Sequence, residues 1–161
     1  RNLPLMQKFD KAIMKLPVLG QLISDSIMAR ITMVLANLIA GGVNLIEAME
    51  IVKNSIGNTQ IQSSLEKVKR DIFSGKPFSS ALRDTKDFPE TMCGFIEVGE
   101  ETGKLNEMLT TVSLYYEEEF DNSVDSFSQL LEPLMIVFLG LVIGFILVAM
   151  YTPIFKMGTA V

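Results

Sequence analysis

The side chains of this chain that could do chemistry fall into two groups, and both are acidic. The first is the run Glu117, Glu118, Glu119, Asp121 and Asp125. On a helix Glu117 and Asp121 share a face at i, i+4, as do Asp121 and Asp125. Like charges at that spacing repel one another, and a divalent ion or a basic partner would relieve the repulsion. The simplest reading of all five is a solvated helix face. Beyond it, Glu117, Asp121 and Asp125 are the candidate metal ligands, and Glu117, Glu118 and Glu119 are the candidate partner contact. The second group is the stretch Gly99-Glu100-Glu101-Thr102-Gly103-Lys104-Leu105. Two glycines four apart around a carboxylate read as a tight interhelical elbow. Glu100 is expected to accept backbone N–H groups near the next helix N-terminus, where the helix dipole favours an anion.

Whole classes of reaction drop out on composition. The chain has no histidine and one cysteine. That removes Ser-His-Asp and Cys-His constellations, the common histidine-containing zinc sites, thiolate clusters and any internal disulfide framework. Cys93, set among Met92, Phe95 and Ile96, reads as a small buried hydrophobe. The Gly-Lys pair Gly75-Lys76 is followed by Pro77 where a phosphate-binding loop needs Ser or Thr, and Arg70 stands where its first glycine belongs. No catalytic residue and no cofactor is expected. The net charge is −5, and residues 97–132 hold ten acids against the single base Lys104. A nucleic-acid partner needs a basic face, so none is expected. The N-terminal stretch, with Arg1, Lys8, Lys11 and Lys15 against Asp10, suits the headgroups of an anionic leaflet.

The elements that must carry these groups are helical throughout, with apolar residues at a period near 3.6. Ile27, Ile31, Val34, Leu35 and Leu38 make one stripe, closed by Gly41-Gly42, where glycine supplies a left-handed cap. Asn44 with Glu47 opens the next helix as a capping box. Gly57-Asn58 ends that helix, and Ile61, Leu65, Val68 and Ile72 form a third stripe that stops at Gly75 and Pro77. A short helix is expected over 79–83. Pro89 fits the first turn of another that ends near Gly99. Thr102 is expected to cap the last and longest helix, which passes through Leu105, Leu109, Val112, Tyr116, Phe120, Val124, Phe127 and Leu131.

From Pro133 to Phe155 there are 23 residues without a charge. At about 1.5 Å per residue they reach roughly 35 Å, enough to cross a hydrocarbon core of about 30 Å. A kink or break is expected at Pro133, and again at Pro153. Gly140 and Gly144 form a G-x-x-x-G that lets another helix approach closely. Tyr151, Phe155 and Lys156 suit the far interface. The expected fold is therefore all-α: an antiparallel bundle of five to six short helices followed by one C-terminal transmembrane helix. The expected divisions are a basic juxtamembrane segment over 1–24, a helical domain over 25–132, the membrane helix over 133–155 and a short tail over 156–161. The start at Arg1, without an initiator Met, suggests the C-terminal part of a longer protein.

Taken in order, these pieces resemble a known family. Ala29-Arg30, Leu38-Ile39-Ala40-Gly41-Gly42-Val43, Gly75-Lys76-Pro77-Phe78-Ser79, Phe88-Pro89, the elbow Gly99 to Leu105, Leu131-Glu132-Pro133-Leu134 and the tail Met150 to Phe155 are similar to the second F domain of the type II secretion F family. The motif positions are Gly42, Gly75, Pro89, Gly99, Glu100, Thr102, Gly103, Leu105, Glu132, Pro133 and Pro153. The stretch from Tyr115 to Asp125 is more like the pilus branch than the secretion branch. Thr152 departs from the aliphatic residue expected before the proline. The resemblance implies an inner-membrane platform of type IV pilus assembly, multi-pass at full length, with this helical domain cytoplasmic and the tail periplasmic. Implied partners are further copies of itself, a cytoplasmic assembly ATPase, pilins or pseudopilins, other inner-membrane assembly proteins and membrane lipid. A type II secretion protein handling pseudopilins is the alternative, and the tethered remnant of an enzyme a more distant one. The charge flanking the span gives the cytoplasmic placement no support, since residues 113–132 hold six acids and no base.

Overall fold

The structure is a computed structural model that describes residues 17–160. Its elements are α1 (Pro17–Ala40), α2 (Leu45–Ser55), α3 (Thr59–Phe73), α4 (Phe78–Thr85), α5 (Glu90–Thr102) and α6 (Leu105–Gly158). No strand occurs among the described residues. The basic residues Arg1, Lys8, Lys11 and Lys15 lie outside them. The chain divides into two compact units, residues 1–123 and residues 124–161.

Each connection in the first unit follows from a residue that can end or begin a helix. The N–H of Gly42 bonds to the carbonyl of Ile39 and the N–H of Val43 to that of Leu38, both at 3.0 Å. Gly42 takes a φ of +88°, which a Cβ would disfavour. Asn44 then caps α2 by accepting the N–H of Glu47 at 3.0 Å. The reciprocal half of the box differs from expectation, because Glu47 meets the side-chain amide of Asn44 rather than its backbone. Asn58 caps α3 through the N–H of Ile61 at 3.1 Å, and Gly75 at φ +99° closes that helix.

Consecutive helices pack on one another from α1 to α5, around a single apolar cluster. Met28, Ile31 and Leu35 of α1 meet Met49 and Val52, Ile61 and Leu65, Phe78 and Leu82, Met92 and Ile96, and Leu109 and Val112, all of them buried. Burying each such side chain stabilises by about 1.5–3 kcal/mol. By length and composition α1 resembles a membrane span, yet its inner side is core. Polar ties join the outer surface. Lys53 and Lys69 each bridge Glu50 and Glu66 between α2 and α3, at 2.5–3.1 Å. Asp87 accepts from Gln60 at 2.7 Å and from the hydroxyl of Ser64, which fixes the turn before α5 onto α3.

The expected helices and the long apolar C-terminal helix are present, from 8 residues in α4 to 54 in α6. Three local expectations need correction. Pro133 and Pro153 do not break α6, which runs on with both inside it. A proline removes one ladder bond, and flanking helix formers such as Leu130, Leu131, Leu134 and Met135 keep the remainder. Pro89 is the residue before α5 rather than in its first turn. Thr102 is the last residue of α5 and donates its hydroxyl to the carbonyl of Val98 at 2.7 Å, so it does not cap α6. The expected divisions at 24/25 and 132/133 both fall inside helices, α1 and α6.

The second unit is the remainder of α6. Its apolar side chains stay exposed: Phe138, Leu141, Phe145 and Val148 are at 69%, 70%, 76% and 67%.

Candidate functional site

The elbow between α5 and α6 is the best-built feature among the motif residues. Gly99 lies where α5 and α6 come closest. A Cβ there would stand 2.9 Å from the Cα of Leu105 and 3.1 Å from the Cβ of Met108. Any other residue would push the two helices apart. Gly103, at φ +71°, turns the chain, and the N–H of Lys104 returns to the carbonyl of Gly99 at 2.9 Å. Leu105 follows and packs against the core.

Glu100 does what its position suggested, but at a different helix. Its Oε1 accepts the N–H of Phe78 at 2.5 Å, and its Oε2 accepts the N–H of Ser79 at 3.1 Å and the Ser79 hydroxyl at 2.8 Å. These groups form the N-terminus of α4, not of the following helix α6. Pro77, which precedes α4, has no side chain able to cap it. A carboxylate from 22 residues away takes that place, satisfying orphan N–H groups and meeting the positive end of the dipole. The other end of α4 is tied by Arg83, which reaches Glu90 at 2.8 Å and Glu97 at 2.6 Å on α5. The hydrogen bond from Arg83 holds the Glu97 carboxyl below its ordinary value. Thus α4 is clamped to α5 at both ends, and the Gly99 contact fixes α5 to the start of α6.

The acidic run is spread around α6 rather than gathered. Glu118 and Asp121 are exposed, while Glu117 and Glu119 are half-buried. Ser26, Ala29, Glu117, Phe120 and Asp121 line a small open hollow between α1 and α6. Among the described residues no group of three or more His, Cys, Asp or Glu is placed to hold a metal ion, so Glu117, Asp121 and Asp125 do not converge on one. One acid that spacing did not single out is buried nearby. Asp25 on α1 is 6% exposed and accepts the Ser123 hydroxyl at 3.4 Å across 98 residues. Desolvation pushes its carboxyl above the ordinary aspartate value, and the neighbouring charge of Glu119 adds to the rise. Cys93 is buried, and burial likewise raises its thiol.

The remaining motif positions are structural or exposed. Gly42 and Gly75 are left-handed caps. Glu132, Pro133 and Pro153 stand on exposed parts of α6. Gly140 and Gly144 have open space where a Cβ would go.

Comparison with known proteins matches residues 31–153 to the family model for the type II secretion system protein F. Over 152 residues the chain is 39% identical to a type IV pilus assembly protein PilC from Pseudomonas aeruginosa, covering 94% of this chain and 41% of that protein. It is 38% identical over 148 residues to a PilC from Thermus thermophilus, covering 91% of this chain and 36% of that protein. With a type II secretion system protein F from Pseudomonas aeruginosa it shares 30% identity over 149 residues, covering 92% of this chain and 37% of that protein. The chain therefore spans about two fifths or less of the length of the relatives it matches. With the elbow, the paired glycine caps and the apolar continuation of α6 all inside the matched region, the chain belongs to the type II secretion system protein F family.

Proposed function

We propose that this chain is the second helical domain and last membrane helix of an inner-membrane platform for type IV pilus assembly. In this reading the platform self-associates, meets a cytoplasmic assembly ATPase on its helical bundle and gathers pilins at its membrane helices. It transmits movement and performs no bond-making chemistry itself. The carrying observation is α6. One continuous helix runs from the elbow at Leu105, through the bundle core at Leu109 and Val112, to Gly158. One helical element thus carries both the bundle contacts and the apolar stretch. The apolar stretch beyond Glu132 is placed in lipid, the bundle in the cytoplasm and the tail in the periplasm. Identity with relatives named as pilus assembly proteins supports the pilus reading over the secretion reading.

The test is complementation of a strain lacking the full-length protein. Gly140→Leu and Gly144→Leu, which fill a close helix approach, are expected to cut surface piliation while the protein stays folded and membrane-bound. Reversing Glu117, Glu118 and Glu119 to Lys is expected to weaken capture of the ATPase or of pilin. Full piliation with unchanged capture in both sets would contradict the platform reading.

A further inference from the structure

The helical bundle leaves few large apolar side chains in water. Among the described residues through Ser123 the exposed ones are Met33, Ile51, Phe73, Val98, Leu114 and Tyr115. Two stand out, Phe73 at 84% and Leu114 at 60%, with every other below 50%. Phe73 closes a basic line on α3, where Lys67 and Arg70 precede it at intervals of three, and all three are exposed. Leu114 begins an acidic line on α6, followed by Glu118 and Asp121 at four and three residues, again all exposed. Positions three and four apart are neighbours along a helix surface.

The charges on these lines are not used up at home. Among the described residues neither Arg70 nor Glu118 nor Asp121 is in an ion pair, and Lys67 makes only a long 3.5 Å contact to the carbonyl of Asp84. The acids beside this line are Glu66, held by Lys53 and Lys69, Asp84, which is taken by Lys76, and the half-buried Asp71. The two lines also match in length. Six residues from Lys67 to Phe73 span about 9 Å, and seven from Leu114 to Asp121 about 10.5 Å.

We infer that α3 of one copy docks antiparallel on α6 of a second copy, with Phe73 against Leu114, Arg70 against Glu118 and Lys67 against Asp121. This rests on the self-association within the platform reading and names its surfaces. Made once between each pair of copies, the contact is heterologous and repeats from copy to copy as a ring or an open array, and a ladder rather than a dimer alone is its signature. Apolar contact at one end and two opposite-charge pairs along the other set the register.

The test uses the full-length protein in its own membrane. Phe73→Cys combined with Leu114→Cys is expected to give a ladder of disulfide-linked multimers on mild oxidation, while Phe73→Cys alone gives none. The native Cys93 is buried and does not compete. On that background Arg70→Glu or Glu118→Arg should cut ladder yield on the order of tenfold, and the double change should restore it. Lys67→Asp with Asp121→Lys provides a second, independent swap. The inference is overturned by absence of the ladder, by single reversals that leave its yield unchanged, or by double changes that fail to restore it. It is equally overturned if Arg70→Glu abolishes capture of a different acidic protein while the ladder persists. Pilus counts on the same strains keep the two readings apart. Pili lost with the ladder intact tells against the platform role, and a ladder lost with pili intact tells against this contact.

Discussion

Phe78 and Phe138 are the same residue in the same kind of helix, yet one is 1% exposed and the other 69%. In the bundle, apolar side chains occupy one side of each helix, and charged residues such as Glu50, Lys53, Arg83 and Glu97 join the outer sides. In the stretch beyond Glu132, apolar residues surround the helix and stay exposed. The first region carries its own solvent-excluding partner. The second must find its partner in lipid or in other membrane helices. Sequence hydrophobicity alone does not separate them, because α1 is also long and apolar enough to pass as a span and is nevertheless part of the core. What differs is a polar side: α1 exposes Gln21, Ser26, Arg30 and Asn37, and the stretch beyond Glu132 has no such row. A one-sided stripe implies a protein neighbour, and an all-round apolar surface implies a non-aqueous one.

The contrast can be broken most sharply with paired substitutions. Phe78→Ala should lower bundle stability by about 3–5 kcal/mol, whereas Phe138→Ala should leave it unchanged. Chemical denaturation in detergent, followed by helicity, measures both. Equal losses would show that the two regions fold as one. The next pair uses glycine. Gly99→Ala must move Leu105 or Met108 and should cost about 1–3 kcal/mol. Gly140→Ala meets open space and should cost the bundle nothing.

A third pair separates a working carboxylate from a solvated one. Glu100→Ala strands the N-terminus of α4 and should destabilise by about 1–2 kcal/mol. Glu118→Ala should stay within about 0.5 kcal/mol on folding. Amide exchange at Phe78 and Ser79 should rise only in the Glu100 variant.

The smallest effect concerns acidity. Burial raises the Asp25 carboxyl above its unfolded value, so the folded chain binds that proton at a pH where the unfolded chain has already lost it. This group therefore favours folding at acidic pH, and the benefit is lost as pH rises through the raised folded value. Asp25→Asn should be slightly more stable than the parent at neutral pH, and the gap should close on acidification. A melting series from neutral to acidic pH checks it, and a parent that stays ahead at neutral pH would contradict the burial argument.

Much of this was readable before any coordinates. The cap at Asn44, the helix ends at Gly42 and Gly75, the stripes of α1 and α3, and the apolar stretch after Glu132 all follow from local rules, whereas Asn58, read as a helix breaker, is also the cap of α3. The failures share a cause. Glu100 was assigned correctly as an N-terminal anchor but to the adjacent helix, because spacing cannot say which of several helix ends a side chain reaches. Asp25 and Ser123 are 98 residues apart, and the Arg83 clamp joins helices that only packing brings together. A break at Pro133 does not occur, because one missing hydrogen bond does not end a cooperative helix of 54 residues. Thr102 has the right chemistry for a cap, but Gly103 turns the chain after it rather than before.

The central claim is that residues 133–155 lie in lipid while the helices ahead of them stay outside it. It is tested most directly by single-cysteine accessibility in the full-length protein within native membranes, using a water-borne maleimide applied to opened vesicles. Val98→Cys and Glu107→Cys, both exposed on the bundle, are expected to label readily, and Leu139→Cys, Val142→Cys and Phe145→Cys to stay unlabelled until detergent is added. Labelling across 139–145 at the rate seen in the bundle, before any detergent, would contradict it.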